Sequence, residues 1–301
     1  MRNIKLTVAY DGTGFHGWQI QPGMKTIQGA LGEAASEITQ EKIFVQGASR
    51  TDAGVHALGQ VANFKTHSGL SAEDFRRGLN ALLPDQIRVM AAEEVGPDFH
   101  ARWQAQGKTY RYRIFRGLVM PPFEFRRAMH FPWALDEEAM MEAAREFEGR
   151  HDFTSFAASS GDEQEDSERE MEREIWESRM VRVEWGFGAV TTGNGVSAAA
   201  GSGLMGERKF EDVEPHYLDY VVRGNSFLRY MVRKIVGTLL EVGKGRMKAS
   251  DIAEIFAAKD RSRSGVTVEP GGLCLMGLEY PDPTDSLRGV TRKRSGRADK
   301  N

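Results

Sequence analysis

From Ile4 to Tyr10, apolar and polar residues alternate and β-formers dominate, the two-residue period of a strand with one buried face. The turn cluster Asp11-Gly12-Thr13-Gly14 closes it. From Thr26 to Ile38 the period changes. Ile27, Ala30, Leu31, Ala34, Ala35 and Ile38 recur at helical spacing, and Thr26 is placed to cap them. Short β-rich runs at 43–45 and 61–65 read as strands. A helix over 71–82 follows, with Ser71 as its cap, Phe75, Leu79 and Leu82 facing inward, and Pro84 stopping it. Ile87 to Ala92 is again a strand, so the first hundred residues have the order β-α-β-β-α-β.

The second half gives a similar order. Lys108 to Phe115 alternates Thr109, Arg111 and Arg113 against Tyr110, Tyr112 and Ile114, a strand with two distinct faces. A helix over 136–147, strands over 176–185 and 217–223, a strongly apolar helix over 225–241 and a strand over 273–279 complete it. The expected fold is therefore α+β: two ferredoxin-like or RRM-like halves whose sheets pair around a central cleft. The expected organisation is an N-terminal α/β domain over 1–100, a C-terminal α/β domain over 101–281 and a basic tail over 282–301. The boundary is expected within 96–106. The halves share a pattern of elements without apparent sequence identity.

Composition narrows the class. With 301 residues, 40% hydrophobic and 28% charged, the chain has the make-up of a globular protein with a sizeable core. One cysteine, Cys274, rules out an intrachain disulfide. No run reaches the ~18 apolar residues of a membrane helix, and the N-terminus has no apolar stretch of signal-peptide length. A cytoplasmic protein is expected, with no membrane partner. The net charge of −3 argues at first against nucleic acid, but its distribution reverses that reading. Residues 159–177 hold nine Asp/Glu against two Arg, leaving the rest of the chain at +4. An acidic insertion over 159–174 and a Gly/Ala/Ser-rich loop over 191–206 stand outside the scaffold. Basic residues bunch at 76–77, 108–116, 126–127, 223–234 and 288–300, and a local basic cleft suffices to bind phosphates.

Arg50-Thr51-Asp52-Ala53-Gly54-Val55-His56-Ala57 is the run in which chemistry concentrates. An Asp in a loop can be desolvated yet stay ionised beside a guanidinium, which is what a catalytic carboxylate needs. An Asp before Gly is also a common turn residue. Asp52 with His56 permits a hydrolase reading as an acid/base pair, although no Gly-x-Ser-x-Gly run is present. None of the seven histidines has metal-ligand spacing, so no metal is expected. Gly12, Gly14 and Gly17 follow a strand like a phosphate loop, but the lysine is missing and the next helix starts too late. Tyr110 and Tyr112 share a strand face, as core or as a stacking platform for a base, with Lys108, Arg111 and Arg113 flanking. On the late helix, Arg229 and Lys234 read as surface. Arg233 lies in the apolar region and needs an anionic partner, making it the candidate partner of Asp52.

These pieces together resemble the TruA family of tRNA pseudouridine synthases. The opening segment from Tyr10 to Gln21, Thr26-Ile27-Gln28 with Leu31, the loop from Arg50 to Ala57 with Gly59-Gln60, and Leu79-Asn80 with Leu83-Pro84 and Ile87 all match in order. So do Phe99-His100-Ala101-Arg102, Lys108 to Tyr112, His151-Asp152-Phe153 with Phe156, Met231-Val232-Arg233 with Ile235 and Gly237, and Pro270 with Gly272-Leu273. Ser49 stands where the family usually has Gly, and Glu269 where a small residue is usual. The resemblance implies a pseudouridine synthase fold and isomerisation of uridine to pseudouridine at positions 38, 39 and 40 of the tRNA anticodon arm. It implies a homodimer working without metal or cofactor. It implies Asp52 as the essential nucleophile, Tyr110 stacking on the target base, Arg233 paired with Asp52, and Arg50 helping to flip the nucleotide out. The first covalent step stays open between attack at C1′, attack on the base and removal of a sugar proton. A non-catalytic RNA-binding protein stands as the second reading, since it shares the basic and aromatic features without needing Asp52.

Overall fold

A computed structural model describes residues 1–159, 170–185 and 214–281. The Gly-rich loop and the basic tail lie outside the described residues, as do positions 160–169 of the acidic insertion. In chain order the elements are β1 (Arg2–Tyr10), α1 (Ile27–Thr39), β2 (Gln46–Gly47), β3 (His56–Thr66), α2 (Ala72–Leu82) and β4 (Ile87–Val95). After these come β5 (Gly107–Arg116), β6 (Met129–His130), α3 (Glu137–Arg145), β7 (Gly149–Asp152), β8 (Glu172–Glu184) and β9 (His216–Gly224). The helices Met231–Gly243 (α4) and Asp251–Ala258 (α5) and the strand β10 (Leu273–Glu279) complete the series.

Local chemistry explains most of these elements. Ile4, Leu6, Val8 and Tyr10 of β1 are buried on one face as the alternation requires. Thr26 caps α1 by accepting from the Gly29 N–H, and Ser71 forms a capping box with Asp74 on α2. Asp136 caps α3 through the Ala139 N–H. Three expectations need correction. The run at 43–45 is not a strand: Ile43 and Val45 are drawn into the core with Phe44 facing out, and pairing begins only at Gln46. The acidic insertion ends earlier than 174, because β8 starts at Glu172 and pairs with β7. The late helix starts at Met231 rather than 225. Phe227 turns edge-on to Tyr110, the Arg229 carbonyl accepts from the Ala158 N–H, and Tyr230 adopts a left-handed φ of 62°. The apolar residues 227 and 228 thus wall a cleft rather than continue a helix face. Helix α5 was not expected from the periodicity, its eight residues being too few to display one.

The two expected sheets are joined into one. The ten-stranded mixed sheet has the order β4-β1-β3-β10-β5-β9-β8-β7, with β2 added to β3 and β6 to β5. The first half follows the expected β-α-β-β-α-β order, the second adds β6, β7 and α5 to it, and in each half the last strand lies beside the first. The halves meet at a short parallel pairing, Cys274 with His56 and Leu275 with Ala57. Strand β3 therefore has two neighbours on one edge: β2 near Ala62 and Asn63, and β10 near His56 and Ala57. The loop 48–55 emerges at that seam. The helices pack over the sheet in one hydrophobic cluster that runs through both halves.

Segment 96–106, where the domain boundary was expected, is pinned to the sheet. The Asn3 amide donates to the carbonyls of Gly96 and Phe99, Asn63 accepts from the Ala101 N–H, and the Tyr280 hydroxyl donates to the Ala101 carbonyl. Elsewhere, Glu137 joins Arg116, Arg182 and His216 in a charged cluster of which all but Arg182 are buried.

Candidate active site

The loop carrying Asp52 is held by backbone rather than by side-chain bulk. The Val55 N–H donates to the Asp52 carbonyl, closing a tight turn in which Gly54 takes φ +79°, a conformation that favours glycine. From the other side the segment after β1 packs against this loop. The Trp18 N–H donates to the Thr51 carbonyl, and a Cβ on Gly17 would lie 2.6 Å from that oxygen. Of the glycines that resembled a phosphate loop, Gly12 and Gly17 thus serve close backbone approach to the Asp52 loop, while Gly14 takes a left-handed φ of 79°. Tyr10, buried on β1, reaches the Thr51 hydroxyl at 2.8 Å, so the first strand also positions the loop.

A cleft of about 1220 Å³ opens over this loop. Asp52 lies on its wall, 27% exposed, with Arg233 Nη1 3.6 Å from its Oδ2. Burial pushes the Asp52 carboxyl above its usual range. Arg233, then Arg229, pull it back toward the charged form. The result is a partly desolvated carboxylate held by cations more than 170 residues away in sequence. Arg233 is itself fixed: its Nε donates to the Val268 carbonyl at 2.7 Å and its guanidinium lies over the Tyr230 ring.

Of the expected site residues, the cleft lining brings together Arg50, Asp52, Tyr110 and Arg233. Arg50 is exposed, and the cations acting on Asp52 are Arg233 and Arg229 rather than this near neighbour. Tyr110 is only 6% exposed, its ring in a T-shaped contact with Phe227 and its hydroxyl 2.8 Å from Ser49 Oγ. It forms a wall of the cleft rather than an open platform. Burial pushes its phenol up to about 12, so it stays protonated at neutral pH. Ser49, where the resembling family usually has Gly, supplies that hydroxyl contact, and Lys108 Nζ lies 3.3 Å from the same oxygen.

Several assignments made from sequence change. Arg111 and Arg113 of β5 face away from the cleft toward Asp219, Arg113 by a two-pronged ion pair; Lys108 alone of the three lines the cleft. Arg229, read as a plain surface residue, lines the cleft and acts on Asp52. Lys234 is half-buried and donates to Arg261 O and Ser264 Oγ. Tyr112 is core, its hydroxyl donating to the Glu269 carbonyl. His56 is not a partner of Asp52. Its Nδ1 accepts from the Gly12 N–H and lies 3.2 Å from Asp11, and its Nε2 bonds the Arg126 carbonyl. With both nitrogens committed, His56 is a joint between loops, and the hydrolase reading loses its base. Lys108 and Arg102, missed as site residues, had a signal in the flanking Phe99-to-Tyr112 motif; Arg229 had none in its own periodicity. No group of three or more metal-type ligands occurs among the described residues, and no described helix is long and apolar enough to cross a membrane.

Among the described lining residues, five are cationic, Arg50, Arg102, Lys108, Arg229 and Arg233, and Asp52 is the one carboxylate. Among its described residues, a chain of net charge −3 therefore carries a strongly positive cleft around one half-buried acid. The family model described as tRNA pseudouridine synthase matches residues 6–104 and 143–281. The chain belongs to that family. It is 42% identical over 280 residues to the tRNA pseudouridine synthase A of Solibacter usitatus, covering 93% of this chain and all of the relative. The proteins of the same description from Acetivibrio thermocellus (39% over 280 residues) and Geobacter sp. (38% over 283 residues) are matched over their whole lengths, spanning 93% and 94% of this chain. Asp52, Arg50 and Arg233 fall within the matched stretches, whereas Lys108 and Tyr110 fall in the unmatched interval of the family model.

Proposed function

We propose that this protein isomerises uridine to pseudouridine at positions 38, 39 and 40 of the tRNA anticodon stem-loop, with Asp52 as the nucleophile. The observation that carries this reading is the Asp52–Arg233 pair on the wall of a cleft whose other charged lining residues, among those described, are all cations. In the reaction the N1–C1′ bond breaks, the uracil turns, and a C5–C1′ bond forms. The hydrogen on C5 leaves as a proton and N1 takes one up, so no external group is consumed. Cleavage of the glycosidic bond builds positive charge at C1′, and a fixed carboxylate stabilises or bonds to the electron-poor centre. Partial burial makes the Asp52 oxygens poorly solvated and more reactive, while Arg233 holds them oriented.

The target base must leave its stack before Asp52 can reach it, which costs a few kcal/mol. Arg50, exposed at the cleft mouth, is placed to take the vacated position or the displaced phosphate, and Tyr110 offers the edge of the pocket that receives the base. The cleft lies where two ferredoxin-like halves, 1–100 and 101–281, meet along β3 and β10, with Asp52 from the first half and Arg233 from the second. A homodimer with RNA lying across both subunits, in the cytoplasm, completes the reading. It rests on family membership and on the distribution of charge.

The test is position mapping. Purified protein is incubated with an unmodified tRNA transcript carrying uridines at 38–40, and pseudouridine is located by carbodiimide adducts read as primer-extension stops. Stops at those positions with wild type and none with Asp52→Ala are expected. Stops only elsewhere in the tRNA would overturn the assignment of positions, and stops with both proteins would overturn the role of Asp52.

A further inference from the structure

Trp103 is 72% exposed, and Phe44 is 64% exposed, yet both line the cleft that contains Asp52. A large aromatic held in water is uncommon unless something covers it. Here both are held outward on ordered backbone. Trp103 follows Ala101, which is fully buried and fixed by bonds from its N–H to Asn63 and from the Tyr280 hydroxyl to its carbonyl. The Arg102 and Trp103 N–H groups both donate to His100 Nδ1, and the Gln104 N–H to the His100 carbonyl, so the turn is closed on itself. The Arg102 guanidinium packs 5.0 Å from the indole centre. Phe44 sits between Ile43 and Val45, both buried, so its outward direction is set by the extended backbone of that segment.

We propose that Trp103 and Phe44 are stacking sites for unpaired nucleobases of the RNA flanking the uridine that enters the cleft. The proposal rests on the reading of this cleft as an RNA site and adds the residues that grip the neighbouring nucleotides. Charge supports that occupant. Arg102 adjoins the indole, and Arg50 and Lys108 line the same cleft, so phosphates are met at the same place as bases. Every base has a π-face, so an open indole beside cations binds single-stranded RNA whatever its sequence. Tyr110, enclosed and edge-packed, belongs to the pocket of the target base; Trp103 and Phe44 lie outside it, where a loop nucleotide displaced by flipping needs a new stacking partner.

The experiment measures binding of an isolated anticodon stem-loop RNA, and conversion of its uridine, by wild type, Trp103→Ala, Trp103→Phe, Phe44→Ala and Arg102→Ala. The same RNA is also prepared with an abasic site at each unpaired loop position in turn. Both aromatics are exposed, so their removal leaves the fold intact, checked by thermal melting. Trp103→Ala is expected to raise Kd and KM by about 5- to 100-fold with a smaller change in kcat, and Phe44→Ala to raise them in the same direction. Trp103→Phe should keep most of the affinity. The slope of log Kd against log salt should stay at the wild-type value in Trp103→Ala and fall in Arg102→Ala. An abasic site at one loop position should weaken wild type by the factor lost in Trp103→Ala, with no further loss when the two are combined. If wild type converts the RNA and both alanine variants match it in Kd and KM, the stacking proposal is overturned while the reading of the cleft stands. If losses from Trp103→Ala and from every abasic site simply add, the proposal is likewise overturned. If wild type neither binds nor converts the RNA, the reading of the cleft falls and the proposal with it.

Discussion

Replacing Arg233 by methionine removes the guanidinium 3.6 Å from Asp52 while keeping an apolar stem of similar length. At that separation Coulomb's law gives about 4.6 kcal/mol at an effective dielectric of ~20 and about 1.2 kcal/mol in bulk water. Asp52 is partly exposed, and Arg229 still acts on it after the substitution. The charged form therefore loses about 1–3 kcal/mol relative to the neutral form, or about 5- to 150-fold in the ratio of the two. The sign follows from the carboxylate. Burial already places its pKa above the usual range, and losing the cation raises it further. A nucleophile that must be ionised then fails first at low pH. The acid limb of kcat should move upward in Arg233→Met, with the largest deficit on the acid side and recovery as pH rises. Arg233→Lys keeps the charge but loses the fork that bonds the Val268 carbonyl, so its limb should stay near wild type with a modest uniform loss. The assay is the rate of pseudouridine formation at saturating tRNA across pH. A uniform fall at every pH in Arg233→Met, with the acid limb unmoved, would refute the argument that Arg233 acts through the ionisation of Asp52.

Burial lowers Lys108 to a pKa of about 8, so the wild-type cleft should lose a cation as pH rises through that value. RNA affinity should then weaken between neutral and alkaline pH in wild type and much less in Lys108→Arg, measured by Kd at fixed salt. Ser49→Gly removes the hydroxyl that contacts both Tyr110 and Lys108; because a buried phenol loses a partner, thermal or urea unfolding should show a loss of about 1–2 kcal/mol. Glu137→Gln removes the carboxylate that bonds the fully buried Arg116 Nε and should lower stability by about 2–4 kcal/mol, with activity of the folded protein retained. Burial alone would raise Glu137, but its bonds to Arg182 and Arg116 and the charge of His216 hold it below the usual range. The wild-type advantage over this variant should therefore be full above the ordinary glutamate range and shrink as pH falls through and below it, as compared by melts across pH.

Sequence carried the strand and helix order well because periodicity and capping are local. Thr26, Ser71 and Asp136 cap helices as their side chains permit, and β1 alternates as its residues dictate. The joining of the halves was not legible, since the parallel pairing of His56 and Ala57 with Cys274 and Leu275 is a contact across more than two hundred residues with no local mark. The late helix is expected to start six residues too early because Phe227 and Leu228 are apolar whether they face a helix core or wall a cleft. For the site, Asp52 and Arg233 were legible, one as an acid in a glycine-bearing turn and the other as a cation in an apolar helix. Arg229 was not, because an exposed cation in a loop becomes a site residue only through the segment packed beneath it. His56 misled because its neighbourhood in sequence, beside Asp52, differs from its neighbourhood in space, between Gly12 and Arg126.

The central claim is that a uridine is rebuilt at C5 by Asp52. It is tested most directly with tRNA transcript carrying tritium at uridine C5, counting tritium released to water by wild type and by Asp52→Ala. The account predicts release by wild type alone, with the variant still binding the RNA. Equal release by both proteins would contradict the role of Asp52, and binding without release by wild type would contradict the isomerisation itself.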